Sequence, residues 1–417
     1  MHSKYYRWEL LALLSMAFFF HQADRALFGL LLTPIQEDLQ LSDSQMGLTG
    51  TVLFATLAFL MPVAGYIGDR FSKKWIVISS LLFWSLSTMM TGLAKQFGSL
   101  LFFRSVATAG GESFYAPAAY PLLAAWHKTT RSLALSVHQA ALYIGVMSSG
   151  FLAGWIAENF GGWRSAFYLY GGLGILLGLV FIFRLKGMPQ ETVEKEAVAK
   201  ENPPKVSFGK IFFTLARTPT LWFLTMGFTA VVFVNNAYII WAPSFQEEKF
   251  QLNLTMAGWN AMFYHHIAAL GGIMLGGVMT DWLVRHFRSF RLQLQLSSLL
   301  LGAPAIYFVG ASGSLGMTCL FFALFGLFRG LYETNTHAAL FDVVTPEYRS
   351  SAVALMTFIA FLIGSTSATI LGILANWYGK TEGLSLGFQL MGGVYFLGSL
   401  AILVAWLFTF QRDRIPE

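Results

Sequence analysis

Long apolar runs separated by short polar segments dominate this chain. A helix needs about 20 apolar residues to cross the roughly 30 Å hydrocarbon core of a bilayer, and runs of that length recur along the sequence. The pattern predicts an all-α membrane protein with twelve transmembrane helices. Their expected positions are 8–34, 44–68, 74–94, 97–122, 132–156, 164–185, 219–243, 256–280, 292–311, 314–342, 349–375 and 385–410.

Composition agrees with a membrane environment. Apolar residues make up 56% of the 417 positions and charged residues only 12%, whereas soluble chains carry about 25% charged residues. The net charge is +6, but the basic residues lie in short clusters between apolar runs, as topology determinants do. We therefore expect a multi-pass protein of the cell membrane, of the bacterial inner-membrane type. We expect it to be a monomer without cofactor, metal or nucleic-acid partner.

One long polar segment divides the chain. Residues 186–210 are mixed in charge and contain three prolines, which is typical of a solvated linker. The expected organisation is an N-terminal six-helix bundle (1–185), a cytoplasmic linker (186–218) and a C-terminal six-helix bundle (219–417). Lys and Arg are concentrated in alternate loops on the linker side, so both termini are expected in the cytoplasm.

The two halves of the chain repeat one another. Three pairs of residues share a single offset of 218 positions, which indicates duplication of a six-helix unit. The pairs are Arg131 with Arg349, Gly154 with Gly372, and Gly161 with Gly379.

The loop after span two carries a recognisable motif. The segment GYIGDRFSKK (65–74) resembles the G-x-x-x-D-R-x-x-[KR]-[KR] motif of the major facilitator superfamily, and GGVMTDWLVR (276–285) echoes it after span eight. The resemblance covers essentially the whole chain and implies the major facilitator fold. The charged residues of these loops are expected to form a latch that stabilises one conformation of the transporter. The alternative is that they only determine the topology of the chain in the membrane. The latch candidates are Asp69, Arg70, Asp281 and Arg131.

Spans one and four resemble two branches of that superfamily. ADRALFG in span one and FRSVATAGGESFYAPAAYPLLAAWH in span four are similar to segments of the anion:cation symporters and of the spinster-like lipid carriers. The first branch carries organic anions such as sugar acids. Arg104 lies eight residues before Glu112, where those families more often have seven, and Ser113 replaces the usual Ala.

The charges of the first half are expected to face a central cavity. An ionisable residue in a membrane span costs roughly 2.5–3.5 kcal/mol on insertion scales, and His21, Asp24 and Arg25 share one helical face. Arg104 and Glu112 are about two turns, or roughly 12 Å, apart on one face. Arg25 and Arg104 at one depth predict a fork for a carboxylate. Asp24 and Glu112 are the predicted proton carriers.

The second half has its own polar ladder. Arg329, Glu333 and His337 follow at four-residue spacing and are expected on one stripe, with Arg329 as a substrate contact and the other two in proton coupling. The alternative is an Arg–Glu pair that only neutralises itself. His21 is a predicted substrate contact in the first half. Further candidate substrate contacts are Tyr115, His138, Asn235, Asn236, Tyr264, His265 and Asn335.

These features predict a secondary active transporter that works by alternating access about a midplane site. Proton-coupled uptake is favoured over sodium coupling because no cluster of oxygen ligands stands out. Two arginines with amides and histidines favour a small organic anion, such as a sugar acid or a sialic-acid-like compound. The spinster resemblance leaves a lysolipid or sphingolipid open. A membrane enzyme is disfavoured because no Ser/His/Asp spacing or phosphate loop occurs. A non-transporting sensor is the remote alternative.

Overall fold

The computed structural model describes residues 2–189 and 213–415. The side chains of residues 2–4, Asp69 and Ser132 lie outside this description, as does most of the predicted linker. Every regular element in the two described ranges is a helix.

Helices account for each predicted span of the first half. They are α1 (His2–Leu30), α2 (Leu32–Leu39), α3 (Asp43–Arg70), α4 (Lys73–Thr91), α5 (Phe97–Leu100), the π-helical turn π1 (Leu101–Ala107), α6 (Thr108–Glu112), α7 (Tyr115–Trp126), α8 (Arg131–Asn159) and α9 (Trp163–Arg184).

The second half is also helical where it is described. Its elements are α10 (Pro219–Phe250), α11 (Leu254–Leu283), α12 (Phe290–Ala311), α13 (Leu315–Glu333), α14 (Thr336–Phe341), a 3₁₀ turn (Pro346–Tyr348), α15 (Arg349–Tyr378), α16 (Lys380–Val404), the π-helical turn π2 (Ala405–Thr409) and α17 (Phe410–Asp413).

Nine helical segments of the described ranges are long and apolar enough to cross a membrane. They coincide with predicted spans two and five to twelve. Spans one, three and four are helical as well, but they are more polar or interrupted. α1 carries His21, Asp24 and Arg25, α4 begins with two lysines and contains several hydroxyl residues, and span four is divided into short helices. The cytoplasmic position of the termini stays a prediction.

The chain forms two compact units. Within the described residues, one comprises 2–41 and 52–189, and the other comprises Ser42–Thr51 and 213–415. In the first unit α1 packs on α8, and α4 packs on α9. In the second unit α11 packs on α13, α12 on α16, and α10 on α15.

Small residues allow these helices to approach closely, as is common in membranes. A Cβ atom at Gly145 of α8 would lie 2.5 Å from the carbonyl oxygen of Phe19 in α1. This contact holds α1 against α8 along the stretch that leads to the charged residues of span one.

Span four is interrupted between α6 and α7. Pro117 lies at the third position of α7, where proline has no N–H to donate to the carbonyl of Ser113 and its ring crowds that carbonyl. The helix therefore breaks at Ser113 and Phe114, directly after Glu112.

Candidate functional site

A π-helical turn in span four fixes where its charged side chains point. An α-helix bonds each N–H to the carbonyl four residues back, whereas a π-helix uses the fifth. The backbone N–H of Thr108 donates to the Phe103 carbonyl, and the Thr108 hydroxyl donates to the same oxygen at 2.8 Å. Eight α-helical residues would leave Arg104 and Glu112 roughly 80° apart around the axis. The π turn takes up one residue, and both side chains contact α1.

Arg25 and Glu112 form the more open of the two ion pairs that join α1 to span four in the described part of the chain. The Nε and Nη2 atoms of Arg25 donate to the Oε2 atom of Glu112 at 3.1 and 2.9 Å. The Glu112 side chain is fully buried, whereas that of Arg25 is 17% exposed. The second carboxylate oxygen, Oε1, is buried and has no hydrogen-bond partner among the described residues. The pair thus joins a partly exposed guanidinium to a carboxylate with one unused oxygen.

Asp24 and Arg104 form the closed pair. Arg104 Nη1 lies 3.3 Å from Asp24 Oδ1, and Arg104 Nη2 donates to the backbone carbonyls of Asp24 and Arg25 at 2.9 and 3.1 Å. The Thr88 hydroxyl of α4 donates to Asp24 Oδ2 at 2.6 Å. Both charged side chains are almost completely buried. The two predicted fork arginines therefore each bind a carboxylate of their own.

Thr88 belongs to this site, and Tyr170 of α9 packs against α1, although the sequence suggested neither residue. The Tyr170 ring lies 6.4 Å from the Phe20 ring of α1, and its buried hydroxyl has no hydrogen-bond partner among the described residues. Hydroxyl side chains are ordinary in membrane spans, so the only available signal was the position of Thr88 in the polar series along α4.

An aromatic cluster adjoins the open pair. The Nε2 atom of His21 lies 3.3 Å from the Glu112 backbone carbonyl. The Tyr115 hydroxyl donates to a carbonyl of α1 at 2.7 Å and lies 3.1 Å from His138 Nε2. The rings of His21 and Tyr115 are 5.6 Å apart. The three aromatic residues predicted in this half are therefore neighbours of Glu112 or of one another.

The wall behind Glu112 is formed by α4. A Cβ atom at Gly111 would lie 2.7 Å from the backbone nitrogen of Trp84, and the Ser80 hydroxyl donates to the Gly111 carbonyl at 2.6 Å. The indole ring of Trp84 is 5.1 Å from the His21 ring. This close packing of α6 on α4 directs the Glu112 side chain toward α1.

The second unit holds an Arg–His–Glu cluster. Arg329 Nη1 lies 3.1 Å from His265 Nε2, and Arg329 Nη2 lies 3.5 Å from Glu333 Oε2. Cβ atoms at Gly326 and Gly330 of α13 would lie 2.0 and 2.1 Å from carbonyl oxygens of α11. These two glycines let α11 approach α13 and bring His265 beside Arg329.

Two tyrosines outside the predicted substrate contacts flank this cluster. The Tyr238 ring is 4.5 Å from the His265 ring. The Tyr395 ring is 5.4 Å from the Phe325 ring, which itself lies 5.0 Å from the His265 ring, and the buried Tyr395 hydroxyl has no hydrogen-bond partner among the described residues. In the sequence both tyrosines lie within apolar runs, like many other aromatic residues of this chain, so no local pattern indicates that they belong to a site.

The other predicted contacts of the second half are more dispersed. Asn235 Oδ1 and Asn236 Nδ2 are buried and have no hydrogen-bond partner among the described residues, whereas Asn335 donates to a hydroxyl of α11 at 2.9 Å. Tyr264 is 36% exposed. His337 is exposed and stacks on an aromatic ring of its own helix. The expected stripe stops at Glu333 because α13 ends there and His337 lies on α14.

The latch candidates lie at helix ends. The Arg70 guanidinium is 3.9 Å from the Tyr66 ring and exposed. Arg131 begins α8 and Asp281 lies in the last turn of α11, and both are exposed. The side chain of Asp69 lies outside the described residues.

A family model described as Major Facilitator Superfamily matches residues 14–357. The chain belongs to the major facilitator superfamily. As such it is a multi-pass membrane transporter and not an enzyme.

Within the superfamily the chain is related to spinster proteins. It is 28% identical to human Protein spinster homolog 1 over 418 residues, an alignment that covers 92% of this chain and 78% of that protein. It is 25% identical to Drosophila melanogaster Protein spinster, with coverages of 88% and 61%.

Solved structures share the fold. A crystal structure of a bacterial homolog to the human lysosomal transporter spinster, inward-facing and unoccupied, superposes with a TM-score of 0.83 at 21% identity and covers 99% of both chains. A D-xylose–proton symporter gives a TM-score of 0.77 at 13% identity, covering 98% of this chain and 100% of the other. The shared fold supports the prediction of twelve transmembrane helices.

Proposed function

We propose that this transporter couples the movement of a proton to the uptake of an anionic substrate, and that Arg25 and Glu112 carry out the coupling. The supporting observation is the open ion pair: Arg25 is partly exposed, and the Oε1 atom of Glu112 has no hydrogen-bond partner among the described residues. Guanidinium keeps its proton at all relevant pH values and binds carboxylate or phosphate groups bidentately. Glu112 is therefore the member of the pair that exchanges protons.

Competition for one guanidinium gives a physical mechanism for coupling. The Nε and Nη2 atoms of Arg25 now bind Glu112. A substrate anion that takes these donors leaves the buried Glu112 carboxylate without its counter-ion. A buried unpaired charge is costly, so Glu112 takes up a proton when the substrate binds. When substrate leaves Arg25, the ion pair forms again and the proton is released.

Other residues have proposed supporting roles. Arg104 holds the backbone at Asp24 and Arg25 in place through its two carbonyl contacts, and Asp24 is a second proposed proton carrier. Arg329 and Glu333 repeat the Arg–Glu pairing in the second unit. The proposed substrate contacts are His21, Tyr115, His138, Asn235, Asn236, Tyr264, His265 and Asn335, with His337 in proton coupling.

Two observations favour an amphiphilic anion, such as a lysolipid or sphingolipid with a phosphate-bearing headgroup, over a sugar acid. The relatives described above are spinster proteins, the branch that the sequence connects with lipid carriers. The first unit also contains an apolar groove of about 430 Å³, lined by residues that include Ile67, Ile76, Phe83 and Phe114. Gly110 and Gly111 line the same groove, so it shares a chain segment with Glu112 and offers a surface for a hydrocarbon tail.

Coupling is tested with purified protein in liposomes. Glu112→Gln keeps the hydrogen-bonding shape of the side chain but cannot exchange a proton. We expect it to retain substrate exchange between equal pools and to lose concentrative uptake. Glu347→Gln, which changes an exposed acid outside the site, is the matched control. Equal uptake with and without an inward proton gradient in the unmodified protein would exclude the proposal.

The substrate class is tested with a panel that compares lysophosphatidylglycerol with gluconate. Lysine is a point charge and cannot bind bidentately, so Arg25→Lys should cripple transport of the small carboxylate. It should spare much of the transport of an amphiphile, whose tail contributes to binding. Saturable binding of either compound without movement across the membrane would instead favour a sensor.

A further inference from the structure

The π-helical turn of span four coincides with an irregular spacing of charges. Arg104 and Glu112 are eight residues apart, and the turn Leu101–Ala107 lies at the Arg104 end of that interval. Seven α-helical residues would leave two side chains about 20° from alignment, which is close enough for both to face one neighbouring helix. One residue in this span is therefore in excess of what a continuous α-helix needs.

We propose that π1 stores this extra residue and acts as a positioning element, keeping Arg104 in register with Asp24 while Glu112 stays in register with Arg25. π-helical turns of this kind occur frequently at functional sites. The inference deepens the proposed function, because it names what aligns the closed ion pair with the open one.

Val106 is the residue of π1 whose deletion should leave the two ion pairs in place. It lies within π1, and its side chain is 40% exposed, whereas Arg104, Ser105 and Ala107 on either side are buried. Deleting Val106 converts the fifth-residue bond between Thr108 and Phe103 into the ordinary α-helical spacing. Arg104 would then stand seven residues before Glu112, and both would still face α1.

The test compares two single-residue deletions in the full-length protein purified in detergent. Deletion of Val106 should give a folded protein that melts within a few degrees of the parent. Deletion of Val137 is the matched control: this valine is 43% exposed and lies in α8, which is α-helical throughout. A deletion there rotates every following residue by about 100°, so we expect little or no folded protein.

A second measurement shows whether Arg104 still contacts Asp24 after the deletion, and it does not require a transport assay. Arg104→Ala leaves the buried Asp24 without its charged partner and should lower the melting temperature strongly. If Arg104 keeps its contacts after Val106 is deleted, this substitution lowers the melting temperature equally in both backgrounds. The proposal is wrong if deletion of Val106 abolishes folding as deletion of Val137 does, or if Arg104→Ala has no effect in the deleted background. Neither result depends on whether transport is proton-coupled.

Discussion

Asp24 and Arg25 are neighbours in the chain, yet their side chains have different partners and different exposure. Asp24 is enclosed by Arg104 and Thr88, while Arg25 binds Glu112 and keeps 17% of its side-chain surface. Both carboxylate oxygens of Asp24 have a donor, whereas the Oε1 atom of Glu112 has none among the described residues, so Glu112 has more capacity for another partner. At the residue scale, this difference is the reason why we propose Arg25 and Glu112 as the coupling pair, with Asp24 and Arg104 in supporting roles.

Thr88 tests the closed pair. Thr88→Val preserves shape but removes the hydroxyl that donates to Asp24, and a hydrogen bond to a charged group contributes about 1.5–3 kcal/mol. We expect a measurable fall in the melting temperature. Thr91→Val is the matched control, because the buried Thr91 hydroxyl of the same helix donates only to a backbone carbonyl. Equal stability changes for both variants would show that the Thr88–Asp24 bond has no special importance.

Sequence reasoning at this scale works for charges and fails for neutral donors. A charge in a membrane span is costly, so the presence of Asp24, Arg25 and Glu112 within spans already indicates a functional site. Neutral residues such as Thr88, Tyr170 and the two tyrosines of the second unit carry no such cost of insertion into the membrane. Only the packing of helices that are distant in sequence places them near the charged side chains.

At the element scale, the helices lie close to the predicted spans because apolar length determines where a helix crosses hydrocarbon. The irregular elements were not predicted. π1, the break before α7 and the end of α13 at Glu333 depend on local bonding and on contacts between helices. These irregularities have opposite effects on the charged residues. The π turn keeps Arg104 and Glu112 in contact with α1, whereas the end of α13 separates His337 from Arg329.

The approach of α11 to α13 is tested at Gly326. A Cβ atom there would lie 2.0 Å from the His265 carbonyl oxygen, and overpacking typically costs about 1–3 kcal/mol. Gly326→Ala should therefore lower the melting temperature. Gly316→Ala on the same helix meets nothing within 4 Å and should leave stability unchanged or slightly higher. If the two variants melted alike, the close contact of α11 and α13 would not be essential.

At the scale of the whole molecule, the chain is a major facilitator transporter in which each compact unit contains an Arg–Glu pair. The pair Arg25–Glu112 bridges span one and span four, and the pair Arg329–Glu333 lies within α13. The 218-residue offset predicts a duplicated six-helix unit, and the loop motif predicts the superfamily that the family model confirms. The substrate was not evident from the sequence, because its recognition depends on a few side chains whose chemistry suits several anions.

Coupling through Glu112 is tested most directly by the proton movement that accompanies substrate entry. A pH-sensitive dye is enclosed in liposomes that contain the purified protein and have no initial pH gradient. On addition of lysophosphatidylglycerol or gluconate, whichever is transported, the lumen should acidify with the unmodified protein and with Glu347→Gln, but not with Glu112→Gln. Substrate entry without acidification would show that no proton accompanies the substrate, and unchanged acidification with Glu112→Gln would show that Glu112 does not carry it.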